Sequence, residues 1–410
     1  MNNMNSEWKL AKLGDYISIK SGLAYKGDRI GYGESILLGM GCVSFKDIFV
    51  DSGARLYDDE NVDDRYCVKP GDIVLATRQQ SENLPILAMP AVIPDYLKNK
   101  KVIFGTNLYK VDNNSEISNR FLFWLLKHQH YVSYIAGIKS GTAVQMVTKK
   151  NIESYKFLCP PKADREKIAD ILWSYEELSI NINKRISVLE QLIENIYKDW
   201  FVRFKFPGYE KEIFENGIPK GWEIKKLKDV AEITYGYSFD SSLFIDEKTE
   251  VPVVRIRDIP IGSTSIYTTE TCDKKYLIHK NDILVGMDGI FHMCIWRENN
   301  TYLNQRNLKI KARNNMSQYY LYFSLYPQVK YWEQIISGTT VAHLGDKHIN
   351  KMKVILPKES ILSEFNSIAD SIMEEINKLW EKSNIINRQK DLLLPRLMSG
   401  KIDLSKIEVI

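Results

Sequence analysis

A few short motifs have residue types that could do chemistry. Cys159-Pro160-Pro161-Lys162 holds the only Pro-Pro step in the chain. An amino-methyltransferase presents the exocyclic nitrogen on an Asn/Asp-Pro-Pro-aromatic turn, and both flanking residues are missing here. The step reads instead as a stop between a strand and a helix. Gly31-Tyr32-Gly33 and Leu38-Gly39-Met40-Gly41 come nearest to a cofactor cradle, but they fall short of any fingerprint and open no clear helix. No GxxxxGK[ST] phosphate loop occurs, which argues against an ATP motor. Glu7-Trp8-Lys9 and Glu223-Ile224-Lys225 have the Glu-x-Lys form of a Mg²⁺-holding nuclease site. Both lack an upstream Pro-Asp partner and read as framework. His343 and His348 have no Cys or acidic ligand set around them, and Cys42, Cys67, Cys159, Cys272 and Cys294 form no CxxC pair. The expectation is a chain that works by binding.

The 410 residues suggest two or more domains, and 44% hydrophobic with 26% charged residues is the composition of a folded soluble chain. A net charge of +4 permits a polyanionic partner without requiring one. The first residues are polar and unlike a signal peptide, and no apolar run approaches the ~18–20 residues that cross a bilayer. A cytoplasmic location with reduced thiols and no membrane partner is expected.

What would position a binding surface is an internal repeat with a period near 200 residues. Trp8, Leu13, Asp15, Ile19 and Gly22 recur at identical spacing as Trp222, Leu227, Asp229, Ile233 and Gly236. Asp72-Ile73-Val74 is echoed by Asp282-Ile283-Leu284, Asn107-Leu108 by Asn307-Leu308, and Ser140-Gly141-Thr142 by Ser337-Gly338-Thr339. Ile168-Ala169-Asp170 matches Ile368-Ala369-Asp370. A period this long means duplicated domains rather than a solenoid. Between the echoes the copies diverge: Thr77-Arg78-Gln79-Gln80 faces Gly286-Met287-Asp288-Gly289.

Each copy has short β-like runs such as Ile73–Ala76, Val92-Ile93 and Val253-Val254, broken by turn residues, with helical stretches at Phe121–His128 and Tyr319–Tyr326. After Pro160-Pro161, Ile171, Tyr175, Leu178, Ile182, Ile186, Leu189, Ile193, Ile196 and Trp200 step by threes and fours. That spacing predicts one long helix over 163–200, about 55 Å at 1.5 Å per residue. Phe365, Ile368, Ile372, Ile376, Leu379, Ile386 and Leu393 predict a second, ending at Pro395. The expected fold class is α+β: two tandem homologous domains, each followed by a long helix, the helices packing as an antiparallel coiled coil. The expected boundaries are 1–161, 162–204, 205–357 and 358–410. The small basic excess sits in the two globular parts, while the helical segments are neutral to slightly acidic.

This plan resembles the specificity (S) subunit of type I restriction–modification systems. The residues that carry the resemblance are Gly221-Trp222-Glu223-Ile224-Lys225-Lys226-Leu227 with Asp229, and Gly71-Asp72-Ile73-Val74. To these add Ser140-Gly141-Thr142 leading to Lys149-Lys150-Asn151-Ile152, and Lys198-Asp199-Trp200-Phe201-Val202 after the first helix. Leu394-Pro395-Arg396-Leu397-Met398-Ser399-Gly400-Lys401-Ile402 closes the set. The second helix has no counterpart of the Trp200-Phe201 ending. The resemblance implies two target recognition domains, each reading half of a split, asymmetric site in double-stranded DNA. It implies that the helices fix the gap and dock two methyltransferase subunits. S-adenosylmethionine chemistry would belong to those partners, ATP and Mg²⁺ to restriction subunits, and no cofactor or active site to this chain. On the residues alone, the DNA-binding part of a single-chain modification enzyme and a coiled-coil adaptor that never touches DNA stay open.

Lys and Arg on phosphates give affinity, while Arg on guanine and Asn or Gln on adenine give selectivity. In the first copy the candidates are Tyr25, Lys26, Arg78, Gln79, Gln80, Thr142, Gln145, Lys149 and Lys150. In the second they are Tyr237, Arg255, Arg257, Asp288, His292, Arg306, Thr339, His343 and Lys347. Arg78-Gln79-Gln80, just after a strand, is the favoured group.

Overall fold

The computed structural model describes residues 8–58, 61–79, 86–141, 144–246, 250–336 and 342–404. The chain forms two compact units, Met1–Ile180 with Asn384–Ile410, and Asn181–Ser383. The division falls inside both long helices rather than at their ends.

Unit 1 begins with β1 (Lys9–Lys12), β2 (Ile17–Ser21), β3 (Ile30–Leu38), β4 (Ala54–Tyr57) and β5 (Cys67–Val68). Then come β6 (Ile73–Ala76), β7 (Arg78–Gln79), β8 (Pro90–Val92), β9 (Val102–Phe104) and β10 (Leu108–Asn113). Helices α1 (Asn119–Lys127) and α2 (Gln129–Ile138), β11 (Gln145–Met146), α3 (Lys149–Glu153) and β12 (Lys156–Cys159) lead to α4 (Lys162–Tyr197). One sheet has the order β2-β10-β6-β8, a second β4-β3-β9-β5, and β1 pairs with β12 to tie the ends of the globular part together. β6 is buried on both faces, which explains its unbroken apolar run. Ile73 and Leu75 pack with Phe121–Leu126 of α1, while Val74 and Ala76 pack with Val102 and Phe104. The Ser118 side chain accepts from the Phe121 amide and starts α1.

Unit 2 repeats the plan. A hairpin of β13 (Phe214–Glu215) and β14 (Ile218–Pro219) precedes β15 (Glu223–Lys226), α5 (Leu227–Val230) and β16 (Ala231–Tyr235). β17 (Phe244–Ile245), β18 (Val251–Val254), β19 (Tyr267–Thr268), β20 (Leu277–Ile278), β21 (Ile283–Gly286), β22 (Met293–Ile295), β23 (Thr301–Leu303) and β24 (Asn307–Ala312) follow. The rest is α6 (Gln318–Ile336), α7 (Asp346–Ile349), β25 (Lys353–Leu356) and α8 (Glu359–Met398). Sheet β16-β24-β21-β22 matches β2-β10-β6-β8, and the β15–β25 pair matches β1–β12.

The registers correct one of the sequence echoes. Ile19 and Ile73 both pair with Val111, and Ile233 and Ile283 both pair with Ile310. Val111 is therefore equivalent to Ile310, Lys110 to Lys309 and Asn107 to Arg306. The Asn107-Leu108 and Asn307-Leu308 identity is one residue out of step with the strands. The lysines confirm this: Lys110 Nζ donates to the Cys67 carbonyl at 3.4 Å, and Lys309 Nζ to the Leu277 carbonyl at 2.7 Å. A slip of one residue would send either lysine to the opposite face. The repeated glycines also have a shared cause. A Cβ on Gly22 would lie 2.1 Å from the Gly105 oxygen, and one on Gly236 1.9 Å from the Asn304 oxygen.

Both long helices form, with ends that differ from expectation. α4 stops at Tyr197, and residues 198–202 continue as a π-helical turn that buries Phe201 in unit 2. α8 runs through Pro395 to Met398. The proline removes one hydrogen bond, but it stands in the last turn, and Leu397 and Met398 just beyond it are anchored in the unit 1 core. The other helices are longer or shifted for similar reasons: α6 passes through Pro327, with the Gln328 side chain donating to the Ser324 carbonyl at 2.8 Å.

Within each unit the helix segments lie antiparallel. In unit 1, Lys167 Nζ donates to the Leu404 carbonyl at 2.6 Å, and Lys390 donates to the Glu176 carboxylate. In unit 2, Asn183 meets Ser383, and Arg185 meets Glu375 at 3.5 Å. The Glu176 and Lys390 side chains are 8% and 10% exposed, and the lysine also lies over the Trp124 ring. Removing one partner leaves a buried charge alone. Lys390→Ala is expected to destabilise unit 1 by about 3–5 kcal/mol, while Glu176→Leu with Lys390→Met returns most of that loss. Thermal and urea unfolding of the two variants check it; equal destabilisation by both would show that the charges do not act as a pair.

Candidate nucleic-acid interface

In unit 1, four loops meet at the end of the sheet where β6 finishes. The Leu23–Gly105 bridge brings in residues 22–26, and the Thr77 amide donates to the Asn107 carbonyl. β7 pairs with β11, setting Gln79 opposite Gln145 and Arg78 opposite Met146. Thr148 caps α3 by accepting from the Asn151 amide, so Lys149 and Lys150 open that helix. Arg78 and Lys150 are exposed, and Lys149 is half-buried with its ammonium 5.9 Å from the Tyr109 ring centre. Burial raises the Tyr109 pKa, and the positive charge of Arg78 opposes the shift. Tyr25 is half-buried in an edge contact with Tyr57, and Lys26 is exposed.

Gln79 does not fit the role expected of it. It is 4% exposed, its amide donates to the Gln145 side chain at 3.0 Å, and its carbonyl accepts from the Leu87 amide at 3.2 Å. Both ends of the side chain are engaged inside the domain, so Gln79 holds the loop that Arg78 projects from. Gln80, Thr142 and Thr339 lie outside the described residues.

The same edge in unit 2 is built from different side chains. The Met287 amide donates to the Arg306 carbonyl, the Leu344 amide to the Met287 carbonyl, and the Gly289 amide to the Ala342 carbonyl. These bonds gather Asp288, Arg306 and His343. The Asp288 carboxylate takes Arg306 Nη1 at 2.6 Å on one oxygen and His343 Nδ1 at 2.6 Å on the other. Asp288 is itself mostly covered, while Arg306 and His343 are more than half exposed. Burial works against ionisation of Asp288, but hydrogen bonds from His343 and Arg306 outweigh it and hold the carboxyl below its usual range. Its stabilising contribution is present above the ordinary carboxylate pKa and is lost as pH falls through the lower folded value. Arg306 has φ of +64°, a left-handed conformation that costs a non-glycine residue energy and aims its side chain.

Tyr237 bridges to Asn304 beside this group. Lys347 is exposed on α7, whose first residue, Asp346, accepts from the Tyr235 hydroxyl. Arg257 is exposed, and His292 is half-buried with its carbonyl taken by the Gly286 amide. Arg255 departs from expectation. It is bound by Asp258 through Nε at 2.9 Å and Nη2 at 3.1 Å, and Asp258 is buried. That bidentate pair fixes the turn after β18 and takes up the Nε/Nη2 edge that an arginine could offer to guanine.

Sequence reasoning missed Tyr109, Tyr235 and Asp346. The ladder registers also shift the loop alignment by one residue: Thr77 answers to Met287 rather than Gly286, so Asp288 stands where Arg78 does, and Arg306 where Asn107 does. Among the described residues, no cluster of His, Cys, Asp and Glu could hold a metal ion, and no helix is long and apolar enough to cross a membrane.

Comparison with known proteins fits the duplicated architecture. The family described as the type I restriction modification DNA specificity domain matches residues 5–191 and again 219–386. The chain is 23% identical to the HindI specificity subunit of Haemophilus influenzae, over 97% of this chain and all of that one. It is 24% identical to the MjaIX specificity subunit of Methanocaldococcus jannaschii over 71% of each. The crystal structure of the type I S subunit from M. genitalium shares the fold, with a TM-score of 0.57 over 97% of both chains at 14% identity. With two matched segments covering most of its length, the chain belongs to the type I restriction–modification DNA specificity family.

Proposed function

We propose that this chain is the sequence-reading subunit of a type I restriction–modification complex. It is non-catalytic and acts in the cytoplasm, each globular part reading one half of a bipartite, asymmetric site in double-stranded DNA. The observation that carries the reading is one loop-bearing sheet edge built twice, with different charge at equivalent positions. Arg78 and Asn107 in unit 1 face Asp288 and Arg306 in unit 2, so the two edges offer different donors and acceptors. A well-placed bidentate contact discriminates bases by about 1–3 kcal/mol, so such exchanges suffice to make unlike half-sites.

The long helices carry Leu178, Ile180, Val188, Leu192, Ile385 and Leu392, all large, apolar and exposed. These suit protein partners, and we assign them to the docking of two methyltransferase subunits. Those partners bring S-adenosylmethionine, and restriction subunits bring ATP- and Mg²⁺-dependent cleavage.

Mapping methylated adenines in a host that carries this chain and its methyltransferase partner is expected to give one split sequence with two unlike halves. Replacing residues 1–161 by the corresponding part of a relative is expected to change one half only. Loss of both halves together would count against separate readers. Arg78→Ala is expected to relax one position of one half-site, and a uniform loss over all sequences would reduce it to a phosphate contact. Asp288→Asn removes the charge that holds Arg306 and His343. It is expected to degrade choice in the other half-site by about tenfold or more while the Arg78 half is unaffected.

A further inference from the structure

An open cleft of about 900 Å³ in unit 1 is lined by seven cationic side chains against Asp64 and Asp95. Lys20, Lys110 and Arg65 have carboxylate neighbours among the described residues. Lys20 meets Asp112 at 2.5 Å, Lys110 meets Asp72 at 2.8 Å, and Arg65 meets Asp63 at 3.6 Å while lying over the Tyr66 ring. Lys69, Lys98 and Lys100 are exposed and make no ion pair among the described residues. The cleft is not part of the edge that bears Arg78. Lys69 precedes β6 and Arg78 follows it, and four strand residues at about 3.3 Å each set the two ends roughly 13 Å apart.

Unit 2 has the same corner, with two of its cations tied down. Val92 corresponds to Ile295 and Val102 to Thr301 by strand pairing, so residues 93–101 answer to residues 296–300. The longer loop supplies Lys98 and Lys100. The shorter one supplies Arg297, which Glu190 holds at 2.5 Å. Lys280, at the place of Pro70, is held by Glu381 at 2.6 Å. Both glutamates come from unit 2's own helix segments.

We propose that the unit 1 cleft grips the phosphodiester backbone beside its half-site through Lys69, Lys98 and Lys100, a set that unit 2 does not repeat. The inference rests on the DNA-reading function proposed above. Lysines are compact charges on flexible stems, suited to a row of phosphates rather than to a fixed planar ligand. Neutralising each phosphate releases condensed counterions, so the contacts appear in the salt dependence of binding.

The test uses the full chain in complex with its methyltransferase partner, and a duplex carrying the mapped methylation sequence. Lys69→Ala, Lys98→Ala and Lys100→Ala together are expected to lower the slope of log K against log salt by about 2–3 and to weaken binding at least tenfold. The methylated sequence is expected to stay the same. The matching set of Arg substitutions is expected to restore the slope, which excludes misfolding as the cause. Alanine at Lys9, Lys12 and Lys156, exposed elsewhere on unit 1, is expected to leave the slope nearly unchanged. An unaltered slope in the Lys69/Lys98/Lys100 variant, or an altered methylated sequence, overturns the proposal while the DNA-reading function stands. Failure of the unmodified complex to select any sequence overturns that function instead.

Discussion

Neither globular part closes its own core. In unit 1, Ile168, Ala169 and Leu172 from α4 share one cluster with Leu397, Met398 and Leu404 from the far end of the chain. In unit 2, Ile193 and Phe201 share a cluster with Phe365, Ala369, Met373 and Ile376 of α8. The pattern repeats down to the entry tryptophans. Trp222 packs on Phe201, Phe204 and Phe206, which follow the first long helix, and Trp8 packs on Gly400, which follows the second. The aromatic ending missing from the second helix is thus replaced by aliphatic residues doing the same work in unit 1. Each long helix is core to a globular part at both of its ends, so its residues answer to packing before they answer to any partner.

Inside each globular part a charged strut links the two sheets. Asp72 accepts from the Lys69 amide and meets Lys110, whose ammonium holds the Cys67 carbonyl of β5. Asp282 accepts from the His279 amide, and Lys309 holds the carbonyls of Lys275 and Leu277. In unit 2 burial is the dominant influence on both charges: it raises the Asp282 pKa and lowers that of Lys309, against the opposing charge nearby. Their attraction does not outweigh desolvation, so the strut is poor as a source of stability. Its use lies in register, because a lysine reaching two specific carbonyls permits one alignment of β24 with its neighbours.

The parts of this fold legible in the sequence are those set by local pattern. The apolar run Ile73–Ala76 marks a strand covered on both faces, and the three-four spacing from Ile171 to Ile196 marks a long helix. The duplication was visible because Trp8 to Gly22 and Trp222 to Gly236 keep identical spacing. What depends on pairing between distant strands was not visible. The Asn-Leu identity suggested an equivalence that the ladders shift by one residue. Gln79 looked like a reader because it follows Arg78, yet a strand alternates its faces, and every second residue there turns inward. The cleft lysines are scattered between positions 20 and 110, and only the fold gathers them.

One frame can hold two specificities because the variable charges compensate locally. Asp288 takes up Arg306 in an ion pair and His343 in a hydrogen bond, so this group of the unit 2 edge is tied within itself. Lys149 lies over the Tyr109 ring, and neither it nor the exposed Arg78 makes an ion pair among the described residues. At the other end of β6, Lys69, Lys98 and Lys100 of unit 1 make no ion pair among the described residues, while Lys280 and Arg297 of unit 2 are tied to helix glutamates. On the reading proposed above, open lysines add affinity without sequence information, while a group tied as Asp288, Arg306 and His343 are orients a few donors, which favours selectivity. A reader with two equally cationic halves would hold any DNA tightly through both, and would gain less from a correct match at either.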